Sequence, residues 1–392
     1  MRNRRLSFWF LALFLFGSRP LGISAQAADQ VTDSWLNHLE LKGNFTLFGT
    51  PQDGQTPFVT AINSAKQGVL MTMFHLSAQD PTLALINVKK RNRLADVRVI
   101  LDGASLKSTA SLRAVETQLV QNGVVVRPSS SKFTITHEKA MVLDDEGAPL
   151  KKAFVTSINL TTEAATTRDY GVITTDPGVV AEVTSVFETD WKNADPTNFG
   201  KLTPVLQVPN LMWSPVSSKT KLVDLINSVQ PNGNVMATVE NLEKPETVNG
   251  MLDIQNAFLD IVKTKNATLQ IIVPLCDKNP DDPYYNYSAA KALKEANAQV
   301  RMMPGPETAQ QPYMHSKMIL VDGVRAYVGS VNFTKNSVLD AREAGIVFEN
   351  NPKNEDNAGV KAALNRIQDD FKADWAAAVE VPDTKPTGGC RP

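Results

Sequence analysis

The chain has 392 residues with 40 basic and 41 acidic side chains, a formal net charge of −1 and 42% hydrophobic residues. That length admits two domains or one large duplicated one, and the ordinary balance excludes a fibre, a long coiled coil and a disordered chain. Without its N-terminal 27 residues the chain has 36 basic against 41 acidic side chains, and that net charge of −5 argues against a general nucleic-acid binder, which displays a basic surface.

The first 27 residues read as a secretory signal. Arg2, Arg4 and Arg5 make a basic start, Leu6 to Phe16 an apolar run too short to span a bilayer, and Ala25-Gln26-Ala27 a cleavage pattern. Cleavage near Ala27 is expected to leave a secreted or periplasmic protein. It also removes four arginines and no acid, so that 36 basic residues face 41 acidic ones. An exported compartment permits a bridge between the chain's two cysteines, Cys276 and Cys390, which would pin a Pro- and Gly-rich tail.

From residue 45 the sequence runs through one pattern twice. Each copy opens with a short apolar strand and a proline, Leu47 to Pro51 and Leu211 to Pro215. Strands follow at Val69 to Leu76 and Val235 to Leu242, then at Val97 to Leu101 and Leu269 to Pro274. A helical stretch leads in each copy to another strand, Val124 to Pro128 and Val300 to Pro304. Both copies close on one phrase, Phe187-x-x-Asp190-Trp191 and Phe371-x-x-Asp374-Trp375. Strands alternating with helices predict an α/β class chain. Two copies predict two homologous α/β/α sandwich lobes related by a pseudo-two-fold axis. The expected boundaries are 45–193 for the first lobe, 194–208 for a linker, 209–378 for the second lobe and 379–392 for a flexible tail.

Within the repeat lie two copies of His-x-Lys-x-x-x-x-Asp: His137, Lys139, Asp144 and His315, Lys317, Asp322. Two of only four histidines thus occupy the same point of one pattern. Each copy is predicted on a strand, Thr136 to Leu143 and Met314 to Val321. There, residues two apart share a face, so His and Lys project together. The Asp, five positions beyond Lys, falls at the strand's end, where it is better placed to fix local structure. Downstream come Ser157 and Asn159 with Asp169, matched by Ser330 and Asn332 with Glu343. His75 and Asn241 align near the ends of the two early strands. His75 reads equally as a rim residue and as a structural one. Tyr284, Tyr285 and Tyr287 fall in a loop that reads by default as ordinary packing and otherwise as a surface for a head group or a membrane.

These residues resemble the phospholipase D superfamily, marked by paired HxKxxxxD motifs, a following GSxN and a downstream acid, over nearly all of Phe48 to Trp375. The resemblance takes in cardiolipin synthases as well, and it departs at Thr156, where the family has Gly, and at Asp169, one methylene shorter than Glu. It implies an active site at the lobe interface, with both motifs meeting at one cleft. His137 is then the nucleophile, forming a phosphohistidine, and His315 the general acid and later base. Both motifs, with Asp144 and Asp322, count in the catalytic set. Ser157, Asn159, Ser330 and Asn332 would bind phosphate oxygens. Asp169 and Glu343 would each orient one histidine. The resemblance implies neither metal nor cofactor. Its first expectation is an exported phosphodiesterase that hydrolyses or transphosphatidylates phospholipid head groups as a monomer, with transient membrane-surface contact. A nuclease and a non-catalytic phosphate- or lipid-binding module remain as alternatives.

Overall fold

In the first lobe, seven strands share one sheet in the order β1-β7-β6-β5-β2-β3-β4. They are β1 (Phe45–Thr50), β2 (Gly68–Met73), β3 (Asp96–Leu101), β4 (Val125–Pro128), β5 (Lys139–Asp144), β6 (Leu150–Thr156) and β7 (Thr167–Thr174). Helices α1 (Thr56–Ser64), α2 (Gln79–Arg91), α3 (Gly103–Ser108) and α4 (Ala110–Gln121) connect them, and α5 (Pro177–Asn193) closes the lobe. The computed structural model describes residues 33–144, 150–194, 208–243, 252–278 and 282–387. The expected signal segment, most of the linker and Cys390 lie outside them. All elements named here belong to the unit Trp35–Pro392.

The second lobe repeats the arrangement with β8 (Leu211–Ser214), β9 (Asn234–Thr238), β10 (Thr268–Pro274), β11 (Gln299–Met303), β12 (Tyr313–Met314), β13 (Lys317–Val321), β14 (Arg325–Gly329), β15 (Glu343–Glu349) and β16 (Val379–Glu380). Its sheet order, β8-β15-β14-β13-β9-β10-β11-β16, is that of the first lobe with one strand added. Its helices are α6 (Ser218–Asn227), α7 (Leu252–Lys265), α8 (Tyr287–Glu295), α9 (Lys335–Leu339) and α10 (Asn357–Ala377). Both sheets are mixed: β2-β3-β4 and β9-β10-β11 run parallel, and the remaining pairs within each seven-strand repeat are antiparallel.

Alternation along the strands divides the core. In the first lobe Val69, Met71, Val97, Val99 and Met141 face one way, among Phe58, Leu85 and Leu119 of the outer helices. Leu70, Ile100, Val142, Val155 and Val172 face the other way, into a core shared with Met318, Leu320, Val328 and Ile346 of the second sheet. Helices α5 and α10 enter this shared layer through Val183, Phe187, Leu364 and Phe371. Asp176 and Asp356 cap the two helices by accepting the backbone N–H of Val179 and Gly359. The lobes therefore meet through their sheets' inner faces, and the site sits on that junction.

The tail departs from expectation. Val379 and Glu380 pair antiparallel with β11, and Tyr287 donates its hydroxyl hydrogen to the carbonyl of Asp383 at 3.1 Å. The cause is the open edge of β11, whose unpaired backbone groups accept another strand. Cys276 is disulfide-bonded, and Cys390, the partner expected for it, lies outside the described residues.

Candidate active site

Neither histidine stands within its predicted strand: β5 begins at Lys139 and β13 at Lys317. The residues just before each lysine leave their own sheet and pair with the other lobe. Thr136 bridges to Arg342 in parallel, and His137 donates its N–H to the Arg342 carbonyl at 2.9 Å. In the matching place Met314 pairs with Arg168, and His315 donates to the Arg168 carbonyl at 3.2 Å.

That crossed pairing decides which acid meets which histidine, because an acid follows each arginine. Glu343 lies 2.9 Å from Nδ1 of His137, and Asp169 lies 2.7 Å from Nδ1 of His315. Each lobe supplies the carboxylate that holds the other lobe's ring. A carboxylate on Nδ1 places hydrogen there and leaves Nε2 for chemistry. Burial pushes the His137 pKa down, against the pull of Glu343, and the Lys139 charge lowers it further. Burial would raise Glu343, yet His137 beside it brings the carboxyl below its ordinary range.

Lys139 and Lys317 are fully buried and donate to the carbonyls of the histidines two residues before them. Their further surroundings differ. Lys139 lies 5.0 Å from the centroid of the Phe74 ring, whereas Lys317 is 2.8 Å from a carboxylate oxygen of Glu240. Burial, then the Lys317 charge, lowers the Lys139 pKa to about 7. A bound anion favours the charged ammonium, so anion affinity falls as pH rises through 7 and Lys139 loses its proton. Sulfate keeps its charge across this range. Its inhibition constant is expected to rise by up to about tenfold per pH unit above pH 7. Lys139→Met should bind sulfate more weakly at pH 6 and lose that steep slope, as titration calorimetry across pH would read.

The two histidines face one cavity of about 260 Å³, lined also by Phe74, His75, Asn159, Asp169 and Glu240. Its rim carries Thr161 and Glu163 from the first lobe and Lys278 from the second, with Lys278 and Glu163 paired at 3.1 Å. A larger cleft of about 560 Å³ runs past Lys107 and Lys132, but neither motif histidine lines it. His75 stacks on Phe74 with ring centroids 3.8 Å apart. Burial, then the charge of Lys139, lowers its pKa to about 4. Among the described residues no group of three or more His, Cys, Asp or Glu is arranged to hold a metal ion.

Four residues of the assigned set do not line the cavity. Asp144 accepts the backbone N–H groups of Lys66, Gln67 and Gly68 at 2.9, 2.9 and 2.7 Å. Asp322 accepts those of Gln230 and Asn234, both at 2.9 Å. Both motif aspartates therefore tie a strand end to a loop and face away from the cavity. Ser157 donates to Asp169 at 2.6 Å, and Ser330 exchanges hydrogen bonds with the backbone of Ala344. The serines brace the acid-bearing strands and do not line the cavity. Of the two asparagines, Asn159 lines the cavity and its buried Oδ1 has no hydrogen-bond partner. Asn332 accepts the N–H of Asn241 at 3.0 Å. Tyr284 is packed into the second lobe's core from the loop, as expected, whereas Tyr287, also buried there, opens helix α8.

Glu240 escaped the sequence reading. Its carboxylate contacts Lys317 and lies 3.5 Å from Nε2 of His315. Burial would raise its pKa, but His315 and Lys317 hold it well below the ordinary carboxylate range. The one available signal was alignment: His75 falls opposite Asn241, so Phe74 falls opposite Glu240. Glu138 was also passed over. It is buried, its Oε2 has no hydrogen-bond partner, and burial raises its pKa to about 8 despite Arg342 at 3.8 Å.

Fold and site together define a duplicated α/β protein in which one motif histidine from each lobe, with a buried lysine two residues beyond it, lines a common cavity. A family model described as "Cardiolipin synthase, PLD-like domain" matches residues 58–191 and 251–375. The chain belongs to the phospholipase D superfamily and carries two copies of its domain. A curated relative, "Phospholipase D Z" of Dictyostelium discoideum, is 27% identical over 128 residues, 33% of this chain and 27% of that protein. Among solved structures, phosphatidylserine synthase of Haemophilus influenzae superposes with a TM-score of 0.63 at 14% identity, over 85% of this chain and 88% of that one. Polyphosphate kinase of Porphyromonas gingivalis gives 0.52 at 13% identity, over 84% and 56%. At those identities both likenesses bear on the fold alone.

Proposed function

We propose that this enzyme acts outside the cytoplasm on phospholipids, exchanging a small head-group alcohol for water or another alcohol through a phosphohistidine and without a metal. The observation that carries this reading is the pair of acid-oriented histidines facing one small cavity. His137 Nε2 attacks phosphorus while the head-group oxygen leaves with a proton from His315 Nε2. Water then gives its proton to His315 and displaces His137 from phosphorus. The buried ammonium groups of Lys139 and Lys317 supply positive charge close to the developing oxyanions.

Charge around the cavity favours a lipid head group over a polynucleotide. Glu163, Asp169 and Glu240 all line it, and a nucleic-acid site would be expected to present a basic track. Among the described residues no helix is long and apolar enough to cross a membrane. The proposed exported enzyme would therefore meet lipid at a surface, and one chain suffices because it holds both motifs.

The test is head-group release by purified protein from choline- and ethanolamine-headed vesicles with EDTA present. Release that persists in EDTA is the expected result. Nicking of supercoiled plasmid without lipid turnover would move the enzyme to nucleic acid. Phosphate binding without turnover of either substrate would leave a binding module.

A further inference from the structure

Duplication makes Phe74 and Glu240 equivalent positions. Thr72 pairs with Ala140 as Thr238 pairs with Met318, and Leu76 bridges Leu160 as Leu242 bridges Phe333. Two residues beyond the threonine, one copy has an aromatic ring and the other a carboxylate. In the first lobe the Phe74 ring lies 4.7 Å from that of His137, edge to face. In the second, Glu240 lies 3.5 Å from His315 Nε2 and 2.8 Å from Lys317 Nζ, and its other oxygen accepts from the Tyr313 hydroxyl at 3.4 Å. The motifs are twins, but their cavity is not symmetric.

The geometry points to Glu240 as the residue that makes the two histidines unequal. In the free protein its carboxylate occupies the place of a phosphate oxygen on Lys317; once substrate displaces it, it orients His315 as proton donor to the leaving alcohol. This assignment rests on the phosphohistidine reading above. An imidazole with a carboxylate at each nitrogen satisfies both only when both nitrogens carry hydrogen, which is the form a general acid needs. His137 has Glu343 at Nδ1 and the Phe74 ring beside it, a setting that suits an unprotonated nucleophile. The proton that His315 gives to the leaving oxygen returns from the attacking water, so the cycle balances without a further reactant. Glu240 acts through His315 and Lys317 and is therefore a positioning residue.

Its test separates two effects that simple damage would not separate. An alkyl alcohol such as choline needs a proton to leave, whereas p-nitrophenolate does not. In Glu240→Gln, kcat for choline release should fall by at least about tenfold, a part of the 10²–10⁴ that general acids contribute. The first-turnover burst of p-nitrophenol from bis(p-nitrophenyl) phosphate should keep its rate within about threefold, since that departure needs no such acid. Inorganic phosphate, measured by calorimetry, should bind several-fold more tightly because the competing carboxylate is gone. Glu240→Asp should recover part of the choline turnover. Equal losses on both substrates, or phosphate binding that is unchanged or weaker, overturn the assignment. Wild-type protein that turns over neither substrate sinks the functional reading instead, and the phosphate measurement then still decides whether Glu240 occupies the anion's place.

Discussion

His137→Ala should abolish turnover of every phosphodiester, activated or not, by about 10⁴-fold or more, because removing the proposed nucleophile removes the covalent route itself. The native ring is buried, its pKa is lowered by burial, and Glu343 at 2.9 Å places a hydrogen on Nδ1. Nε2 is left with its lone pair directed to the cavity. A leaving group that needs no proton cannot rescue the alanine variant, since the failure precedes departure. His315→Ala behaves otherwise: p-nitrophenolate still leaves once, giving a burst and a stalled adduct. Rapid quench followed by peptide mass spectrometry should find that adduct on the peptide bearing His137. Residual turnover within tenfold of wild type in His137→Ala, or an adduct trapped on His315 in that variant, would reverse the assignment.

The features legible beforehand are those written as short-range pattern. The paired motifs and the duplicated strand order are periodic, and a strand's alternation already separated His137 and Lys139 from Asp144. What was hidden depends on contacts between distant residues. His137 meets Glu343 across 206 positions, and nothing local says that each acid serves the other lobe. The predicted strands start three residues too early for the same reason, since Thr136 and Met314 are extended through pairing with the opposite lobe. Ser157 and Ser330 were placed on phosphate by motif, whereas their hydroxyls are satisfied within their own lobe. Glu240 carries no local signature at all. It is one acid among 41, and its meaning comes from the histidine and lysine that folding brings to it.

The closing phrase of each repeat has its explanation in the same crossing, and it yields the largest stability effect expected of a single substitution. Asp374 of α10 takes a bidentate pair of hydrogen bonds from Arg168 of the first lobe at 2.7 and 2.8 Å. Asp190 of α5 does the same for Arg342 of the second at 2.6 and 3.1 Å. All four side chains are buried, and each arginine carries on its carbonyl the N–H of a motif histidine. Truncating one partner strips a guanidinium held out of water of its bidentate carboxylate, which costs about 3–5 kcal/mol. Asp374→Ala should therefore lower the urea midpoint strongly. Arg168→Met with Asp374→Leu should recover most of that loss, because the uncompensated charge is gone. Each arginine keeps a second acid 3.8 Å away, Asp370 beside Arg168 and Glu138 beside Arg342, the latter with its pKa raised to about 8 by burial and, in part, by Asp190 itself. Asp190→Ala should therefore cost a comparable amount. A loss less than half as large would show that Glu138 ionises and takes over Arg342 where Asp370 does not take over Arg168. A loss below about 1 kcal/mol in Asp374→Ala would mean that the crossed pairs do not hold the lobes together.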